Sequence, residues 1–248
     1  MNRRIIPCLD TKEGRVVKGT NFVNLRDCGD PVELASLYNK EGADELVLLN
    51  LGGPKDQDIM VELVRRAREQ ISIPLTVGGG IGSTSAMEKF LSAGADKVSI
   101  SSAAVDNPEL IAAGSRSFGK EAIVVAIDAK QTGPDSWEVY THGGTKATGL
   151  QVRQWAEEVA GLGAGEILLT SMDRDGTNRG YDNNLNRAVA QAIELPLIAS
   201  GGAGTLEHLA QGAEWASGLL VASLFHFGHY TIRQAKEYLK AQGIEVGL

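Results

Sequence analysis

An eightfold alternation of short apolar runs with helix-length segments predicts an α/β fold, a closed (β/α)₈ barrel with eight parallel strands inside eight helices. The 248 residues leave about 31 for each strand–helix unit, which suits a single barrel domain spanning residues 1–248. An open doubly wound sheet is the competing fold, and it usually carries a glycine-rich fingerprint after its first strand. Here that strand continues into Thr11-Lys12-Glu13-Gly14, which favours the closed barrel.

An internal repeat supports the barrel. Residues 42–49, GADELVLL, resemble residues 163–170, GAGEILLT, half a chain further on. In the same way residues 73–80, IPLTVGGG, resemble residues 195–202, LPLIASGG. A repeat this long is not that of a solenoid array, so we expect two half-barrels of four units each.

The strands are predicted from β-branched or aliphatic runs bounded by turn residues. They are Arg4–Asp10, Glu45–Asn50, Leu75–Gly78, Lys97–Ser101, Ile123–Asp128, Glu166–Ser171, Leu197–Ser200 and Leu219–Ala222.

The helices are predicted between those strands, from helical periodicity and from capping residues. They are Pro31–Lys40, Ile59–Gln70, Thr84–Ser92, Pro108–Phe118, Leu150–Gly161, Leu185–Ala192, Thr205–Trp215 and Thr231–Ala241. Asp30 and Asn107 each precede a proline, which is typical of a helix that begins with an N-cap residue and proline at its first position.

Composition excludes several classes of function. The formal net charge is −7 and no basic block occurs, which disfavours nucleic-acid binding because that role needs clustered positive charge. No apolar run reaches the roughly 20 residues that span a bilayer, and the first residues lack the apolar stretch of a signal peptide. Cys8 and Cys28 are too few for a disulfide framework and lack metal-ligand spacing. We therefore expect a cytoplasmic protein without membrane contact.

Two aspartates are the first candidates for catalysis. Asp10 ends the first predicted strand and Asp128 ends the fifth, so they occupy repeat-related positions on opposite walls of the barrel. Active sites of such barrels form at the carboxyl ends of the strands. Facing carboxylates in different environments suit general acid and general base chemistry, and this is favoured over a pair of simple loop caps.

Glycine-rich turns predict where phosphate groups bind. Gly78-Gly79-Gly80 follows the third strand and Gly201-Gly202-Ala203-Gly204 follows the seventh, and turns without Cβ atoms let backbone N–H groups approach an anion. Ser101-Ser102 and Ala222-Ser223 follow the next strand in each half and add hydroxyl donors. The duplication predicts two phosphates on opposite sides of one mouth, and hence a long bis-phosphorylated ligand.

Other polar residues near the mouth are open to two interpretations. Asp175 and Gly176 lie in a turn after the sixth strand, where a role in substrate binding and a surface turn are equally favoured. Lys18, in the segment after the first strand, is either a phosphate ligand or a solvated lysine. His142 and His226 are interpreted as packing residues, since an isolated histidine is more often structural than catalytic.

A charged set precedes four strands at the opposite, amino-terminal end of the barrel: Arg4, Glu45, Lys97 and Glu166. Strand alternation places Arg4 and Asp10 on the same face, about 20 Å apart at ~3.3 Å per residue. The four side chains either close a ring by pairing or form ordinary surface ion pairs, and the residues alone favour the second alternative.

With these residues in place, the sequence resembles the cyclase subunit of imidazole glycerol phosphate synthase, a (β/α)₈ enzyme of histidine biosynthesis. The resemblance is nearly end to end and is carried by the segments Arg4 to Asp10, Gly14 to Gly19, Leu25 to Asp27, Val77 to Ile81, Val125 to Lys130, Gly163 to Gly176, Ala199 to Gly204 and Phe225 to Phe227. The isomerase of the same pathway has similar half-barrels, but residues 18–30 and 173–177 match the cyclase better.

The resemblance implies a reaction, a partner and a set of site residues. Ammonia from a glutaminase subunit, docked at the amino-terminal face, would pass through the barrel and attack phosphoribulosyl-formimino-aminoimidazole carboxamide ribonucleotide. The products would be imidazole glycerol phosphate and aminoimidazole carboxamide ribotide, with no metal or organic cofactor. Asp10 and Asp128 match the acid–base pair, and the four charged residues at the amino-terminal end match an ammonia gate. The substrate and phosphate ligands implied are Lys18, Gly80, Ser101, Ser102, Thr170, Asp175, Gly176, Gly202, Gly204, Ala222 and Ser223.

The sequence departs from that family at three places. Asn50-Leu51-Gly52-Gly53-Pro54 stands where Asp followed by Ile-Thr-Ala-Ser is usual, and Ser101 replaces a usual Asn. A shortened segment, Trp215 to Gly218, leads into the eighth strand, which is expected to shift. Two alternatives to the cyclase therefore stay open. One is an inactive member that binds a bis-phosphate and docks a glutaminase, and the other is an ammonia-dependent enzyme with another substrate.

Overall fold

Eight parallel strands form a closed barrel in the computed structural model, which describes residues 2–20 and 23–247 without the side chains of residues 18–20 and 23–26. The strands are β1 (Arg4–Lys12), β2 (Arg15–Thr20), β3 (Val23–Gly29), β4 (Leu46–Asn50), β5 (Leu75–Gly78), β6 (Lys97–Ile100), β7 (Ile123–Gly133), β8 (Ser136–Thr141), β9 (Lys146–Gln151), β10 (Glu166–Ser171), β11 (Leu197–Ser200) and β12 (Gly218–Val221). The barrel order is β1-β4-β5-β6-β7-β10-β11-β12, and β12 pairs with β1 to close the ring. The predicted fold class is confirmed.

Helices follow each barrel strand. They are α1 (Pro31–Lys40), α2 (Gln57–Arg68), α3 (Thr84–Ser92), α4 (Ser102–Asp106), α5 (Glu109–Phe118), α6 (Val152–Gly161), α7 (Asn183–Ala190), α8 (Leu206–Gly212), α9 (Ser223–His226) and α10 (Ile232–Ala241). Short 3₁₀ turns occupy Gly53–Asp56 and Lys120–Ala122. No helix of the described ranges is long and apolar enough to cross a membrane.

Amphipathic spacing explains why these helices pack against the barrel. In α2 the buried residues are Met60, Leu63, Val64 and Ala67, at the i, i+3, i+4, i+7 spacing of a single helix face. The corresponding faces of the other helices join the outer faces of the strands in one large apolar layer. A second, smaller apolar cluster, which includes Ile6, Val47 and Leu168, fills the barrel itself.

Two antiparallel hairpins extend the barrel, and the sequence analysis did not predict them. β1 runs beyond Asp10 and pairs with β2, which pairs with β3. β7 runs beyond Asp128 and pairs with β8, which pairs with β9. The hairpins follow the first and fifth barrel strands, so they are related by the same half-barrel repeat.

Element boundaries differ from the predictions where local hydrogen bonding competes with helical periodicity. Asp30 caps α1 as predicted, accepting hydrogen bonds from the N–H groups of Val32 and Glu33. Asn107 does not cap α5, because it ends α4 and the next helix begins at Glu109. Residues 150–151 belong to β9, which delays the start of α6.

The short segment Trp215 to Gly218, which leads into β12, is compatible with a closed barrel. β12 pairs in parallel with both β11 and β1, so it completes the ring. The expected shift of this strand relative to the related family stays a prediction. Gly218 makes the close packing possible. A Cβ atom at that position would lie 2.9 Å from side-chain carbons of Ile198 and Ile6.

We expect Gly218→Ala to lower the free energy of unfolding by about 1–3 kcal/mol, because the added methyl group overpacks the barrel interior. Gly161→Ala is the matched control. It lies at the end of α6 with open space around its Cα, so it is expected to be neutral or slightly stabilising. Urea denaturation of both variants measures the difference, and equal stability of the two would contradict the packing explanation.

Candidate active site

A cavity of about 760 Å³ opens at the carboxyl ends of the barrel strands. It brings together most of the mouth residues that the sequence analysis singled out. These are Asp10, Gly80, Ser101, Ser102, Asp128, Thr170, Asp175, Gly176, Gly202, Ala222 and Ser223. Gly204 is not part of the described cavity wall, and its N–H donates to Nδ1 of His208 at 3.2 Å. The side chain of Lys18 lies outside the described residues.

Asp10 and Asp128 face the cavity from opposite walls. Their strands, β1 and β7, are separated by three strands in either direction around the ring. Asp10 is buried and lies beside Cys8, whose Sγ is 3.4 Å from Asp10 Oδ1. Both aspartates therefore leave the apolar barrel interior at the level of the mouth.

The surroundings of Asp128 disfavour its charged form. Desolvation by the barrel wall, and then repulsion from the Asp175 carboxylate, raise the pKa of Asp128 to about 6. Thr170 is its register partner on β10. A carboxyl group with this pKa exchanges between acid and carboxylate close to neutral pH, as general acid–base chemistry requires.

In the turns that follow β5 and β11, close contacts with neighbouring backbone leave no space for a Cβ atom, so these positions need glycine even without a bound anion. A Cβ atom on Gly79 would lie 2.1 Å from the carbonyl oxygen of Asn50, and one on Gly202 would lie 2.3 Å from that of Gly180. Both glycines have positive φ, 94° and 97°. In each half the loop that follows the preceding strand thus packs against the glycine turn, and the turn still lines the cavity.

Asn50, the last residue of β4, makes its side-chain hydrogen bonds within the loop that follows this strand. Its Nδ2 donates to the carbonyl of Gly53 at 2.7 Å, and its Oδ1 accepts from the N–H of Gly52 at 2.9 Å. A further hydrogen bond joins this loop to the glycine turn that follows β5, because Gln57 Nε2 donates to the Gly80 carbonyl. Asn50 therefore shapes the wall of the cavity beside Gly80.

At the opposite end of the barrel, Arg4, Glu45, Lys97 and Glu166 close a ring of ion pairs. Arg4 contacts both glutamates, with Nη1 at 2.7 Å from Glu45 Oε2 and Nη2 in contact with Glu166 Oε1. Lys97 Nζ lies 3.0 Å from Glu45 Oε2 and 2.8 Å from Glu166 Oε2. The paired ring, which the residues alone did not favour, is the arrangement that forms.

The two glutamates hold Arg4 in its charged form. Burial lowers the pKa of Arg4, but hydrogen bonds and charge from Glu166 and Glu45 outweigh it and raise the pKa overall. Thr76 Oγ1 adds a hydrogen bond of 2.6 Å to Glu45. Two buried carboxylates thus have a full set of partners, which buried charges need to be tolerated.

The two histidines interpreted as packing residues differ in the structure. His226 does pack, since its ring lies between the hydroxyl of Tyr38 at 2.6 Å and the carbonyl of Cys8 at 2.9 Å. His142 does not, because it is exposed on the turn between β8 and β9 and lines the cavity. No local sequence pattern identified it, because the hairpin that carries His142 to the mouth was not predicted.

Comparison with known families agrees with this geometry. Residues 4–231 match the family described as histidine biosynthesis protein. The chain belongs to this family. The match begins at Arg4 of the charged ring and includes all eight barrel strands and the mouth. The comparison therefore assigns the chain to the histidine biosynthesis enzymes, without specifying which reaction it catalyses.

The raised pKa of Asp128 should make the free energy of unfolding depend on pH. The pKa is 3.8 ordinarily and about 6 in the folded chain, so the folded state loses stability as the pH rises through this window. Asp128→Asn removes the ionisable carboxyl group and with it this pH-dependent loss of stability. We expect the variant to gain at most about 3 kcal/mol relative to the natural chain between pH 4 and pH 7.5.

Urea denaturation at the two pH values measures this difference. Asp175→Asn is the companion variant, because it removes the second cause and should recover a smaller part of the gain. A stability difference between Asp128→Asn and the natural chain that does not change with pH would contradict the raised pKa.

Proposed function

We propose that this histidine biosynthesis protein is the cyclase that uses ammonia to convert phosphoribulosyl-formimino-aminoimidazole carboxamide ribonucleotide into imidazole glycerol phosphate and aminoimidazole carboxamide ribotide. The observation that carries the proposal is the pair of repeat-related carboxylates, Asp10 and Asp128, on opposite walls of a single cavity. The same cavity takes in both glycine–serine turns, so the reacting centre of a ligand would lie between its two anchoring ends.

The cavity supports a ligand with two phosphates. The first turn pair follows β5 and β6, and the second follows β11 and β12, on the opposite side of the ring. Both pairs carry a serine, Ser102 in one half and Ser223 in the other, and both serines line the cavity. A ligand held at both ends would span the mouth and pass over the two aspartates.

The two aspartates supply complementary proton transfers. Addition of ammonia to an unsaturated carbon leaves the nitrogen with protons to lose, and ring closure must deliver a proton to the departing group. One carboxylate accepts and one carboxylic acid donates. Asp128, with its pKa of about 6, is suited to change between these roles during one turnover.

Ammonia would enter from the amino-terminal end, where a glutaminase subunit would dock. The charged ring lies at that end, and the apolar cluster of Ile6, Val47 and Leu168 lies between the ring and the mouth. Neutral ammonia crosses an apolar interior at a far lower cost than ammonium or any other ion. The isomerase of the same pathway has no need of such a route, and this favours the cyclase.

A second candidate is a non-catalytic subunit that binds the bis-phosphate and docks the glutaminase. Asn50 favours it, because the amide replaces a carboxylate at the mouth and makes its hydrogen bonds within its own loop. This candidate binds the substrate without turning it over, so one assay separates the two.

The test is turnover of the bis-phosphate by the purified chain with excess ammonium salt at alkaline pH, where no partner is needed. We expect turnover by the natural chain, and a loss of at least about 100-fold in Asp10→Asn and in Asp128→Asn. Binding of the substrate should persist in both variants, because neither change touches the phosphate turns. Asp58→Asn, on the outer surface of α2, is the matched control.

The outcomes are distinct. Turnover retained in both variants would refute the proposed acid–base pair. Binding without turnover in the natural chain would support the non-catalytic subunit, and absence of binding would point to another substrate.

A further inference from the structure

The turn between β8 and β9, residues 141–146, lies over the serine turn that follows β6. The backbone N–H of His142 donates to Ser102 Oγ at 2.9 Å, and His142 and Gly143 both line the mouth cavity. Because the Ser102 hydroxyl accepts this hydrogen bond, its own proton remains available to a ligand. The turn thus brings a histidine directly beside a predicted phosphate ligand.

The turn holds His142 in a defined position. Thr145 N–H donates to the Thr141 carbonyl at 3.1 Å, and Thr145 Oγ1 donates to the His142 carbonyl at 2.8 Å. His142 has a φ of 56°, in the left-handed region, which costs a residue with a side chain roughly 1–2 kcal/mol. The hydrogen bonds of the turn keep His142 in this conformation, at the rim of the cavity.

One ring nitrogen of His142 is committed and the other is not. Thr141 Oγ1 donates to the Lys146 carbonyl at 3.5 Å, so it accepts from Nδ1 of His142, 3.1 Å away. Within the described residues, Nε2 has no hydrogen-bond partner. A ring protonated at both nitrogens would keep the Nδ1 hydrogen bond and offer Nε2–H to an anion.

A phosphate is the anion expected at this position, because His142 lies beside the Ser101–Ser102 turn, a predicted phosphate site. The acidic residues of the described wall are Asp10, Asp106, Asp128 and Asp175, and its basic residues are Lys12 and His142. A doubly charged phosphate placed against this acidic wall needs a cation beside it. A phosphate dianion that binds beside an imidazole favours the charged form of the ring.

We propose that His142 binds the ligand phosphate at the Ser101–Ser102 turn through its protonated ring. The inference rests on the bis-phosphate ligand of the proposed function and adds a residue to that site. It also gives the hairpin β8–β9 a role like the one that resemblance implies for Lys18 in the hairpin β2–β3.

The first experiment measures affinity for the bis-phosphate by calorimetry at pH 6. His142→Asn removes the charge, and asparagine tolerates the left-handed backbone, so the turn is kept. We expect it to weaken binding about tenfold, the usual size of one charge-assisted hydrogen bond. His142→Lys restores a cation and should recover most of the affinity. His229→Gln, an exposed histidine outside the described cavity wall, is the control and should leave binding unchanged.

A double-mutant cycle locates the contact. The effects of His142→Asn and Ser102→Ala should be non-additive, because both residues would hold the same phosphate. The effects of His142→Asn and Ser223→Ala should add, because Ser223 lies at the opposite turn. Additivity in both cycles, or unchanged affinity in His142→Asn, would overturn the inference.

A second measurement is independent of turnover. The imidazole ¹⁵N spectrum is recorded for the intact chain, which has four histidines, during titration with inorganic phosphate at pH 7.5. We expect the His142 signals, identified by their absence in His142→Asn, to move towards the imidazolium position while those of His229 do not. Movement without any turnover of the substrate would sustain the inference and refute the cyclase. Turnover with a His142 ring that does not respond would refute the inference alone.

Discussion

The two-residue alternation of side chains along the barrel strands, fixed by their parallel register, determines which strand residues reach the charged ring and which reach the mouth. Along β1 the inward positions are Arg4, Ile6, Cys8 and Asp10, from the charged ring through the apolar interior to the mouth. β4 and β12 fix this register by pairing on either side. A slip of one residue would turn Arg4 and Asp10 outwards and remove both ends of the site at once.

Acidic side chains with little access to solvent lie at both ends of the barrel. Asp128 is desolvated and faces the Asp175 carboxylate, which destabilises its ionised form. Glu45 and Glu166 are buried, and they are tolerated because Arg4 and Lys97 each contact both of them. An apolar packing of either end would be simpler to stabilise, yet both ends of the barrel carry ionisable side chains.

The barrel and most of its mouth could be predicted because both follow from periodicity. Apolar runs of fixed spacing predicted the strands, and residues directly after those runs had to meet at one end. The hairpins could not be predicted in this way. Their ladders contain irregular register shifts, between Gln131 and Gly133 for example, which break the alternation that identifies a strand.

His142 was misinterpreted for the same reason. Without the hairpin β8–β9, nothing in the sequence returned residue 142 to the turn after β6, and an isolated histidine is usually structural. The glycine turns were understood only in part. Their missing Cβ atoms suggested anion binding, whereas the backbone of Asn50 and of Gly180 also requires them. Contacts between distant loops depend on tertiary packing, which local patterns do not contain.

The fate of the ammonia nitrogen tests the central claim most directly. The purified chain would be incubated with the bis-phosphate substrate and ¹⁵N-labelled ammonium at alkaline pH, and the products would be analysed by NMR. We expect a single ¹⁵N atom in the imidazole ring of imidazole glycerol phosphate, with aminoimidazole carboxamide ribotide released unlabelled. An unlabelled product, or a bound substrate that remains unchanged, would contradict the assignment of this barrel as an ammonia-dependent cyclase.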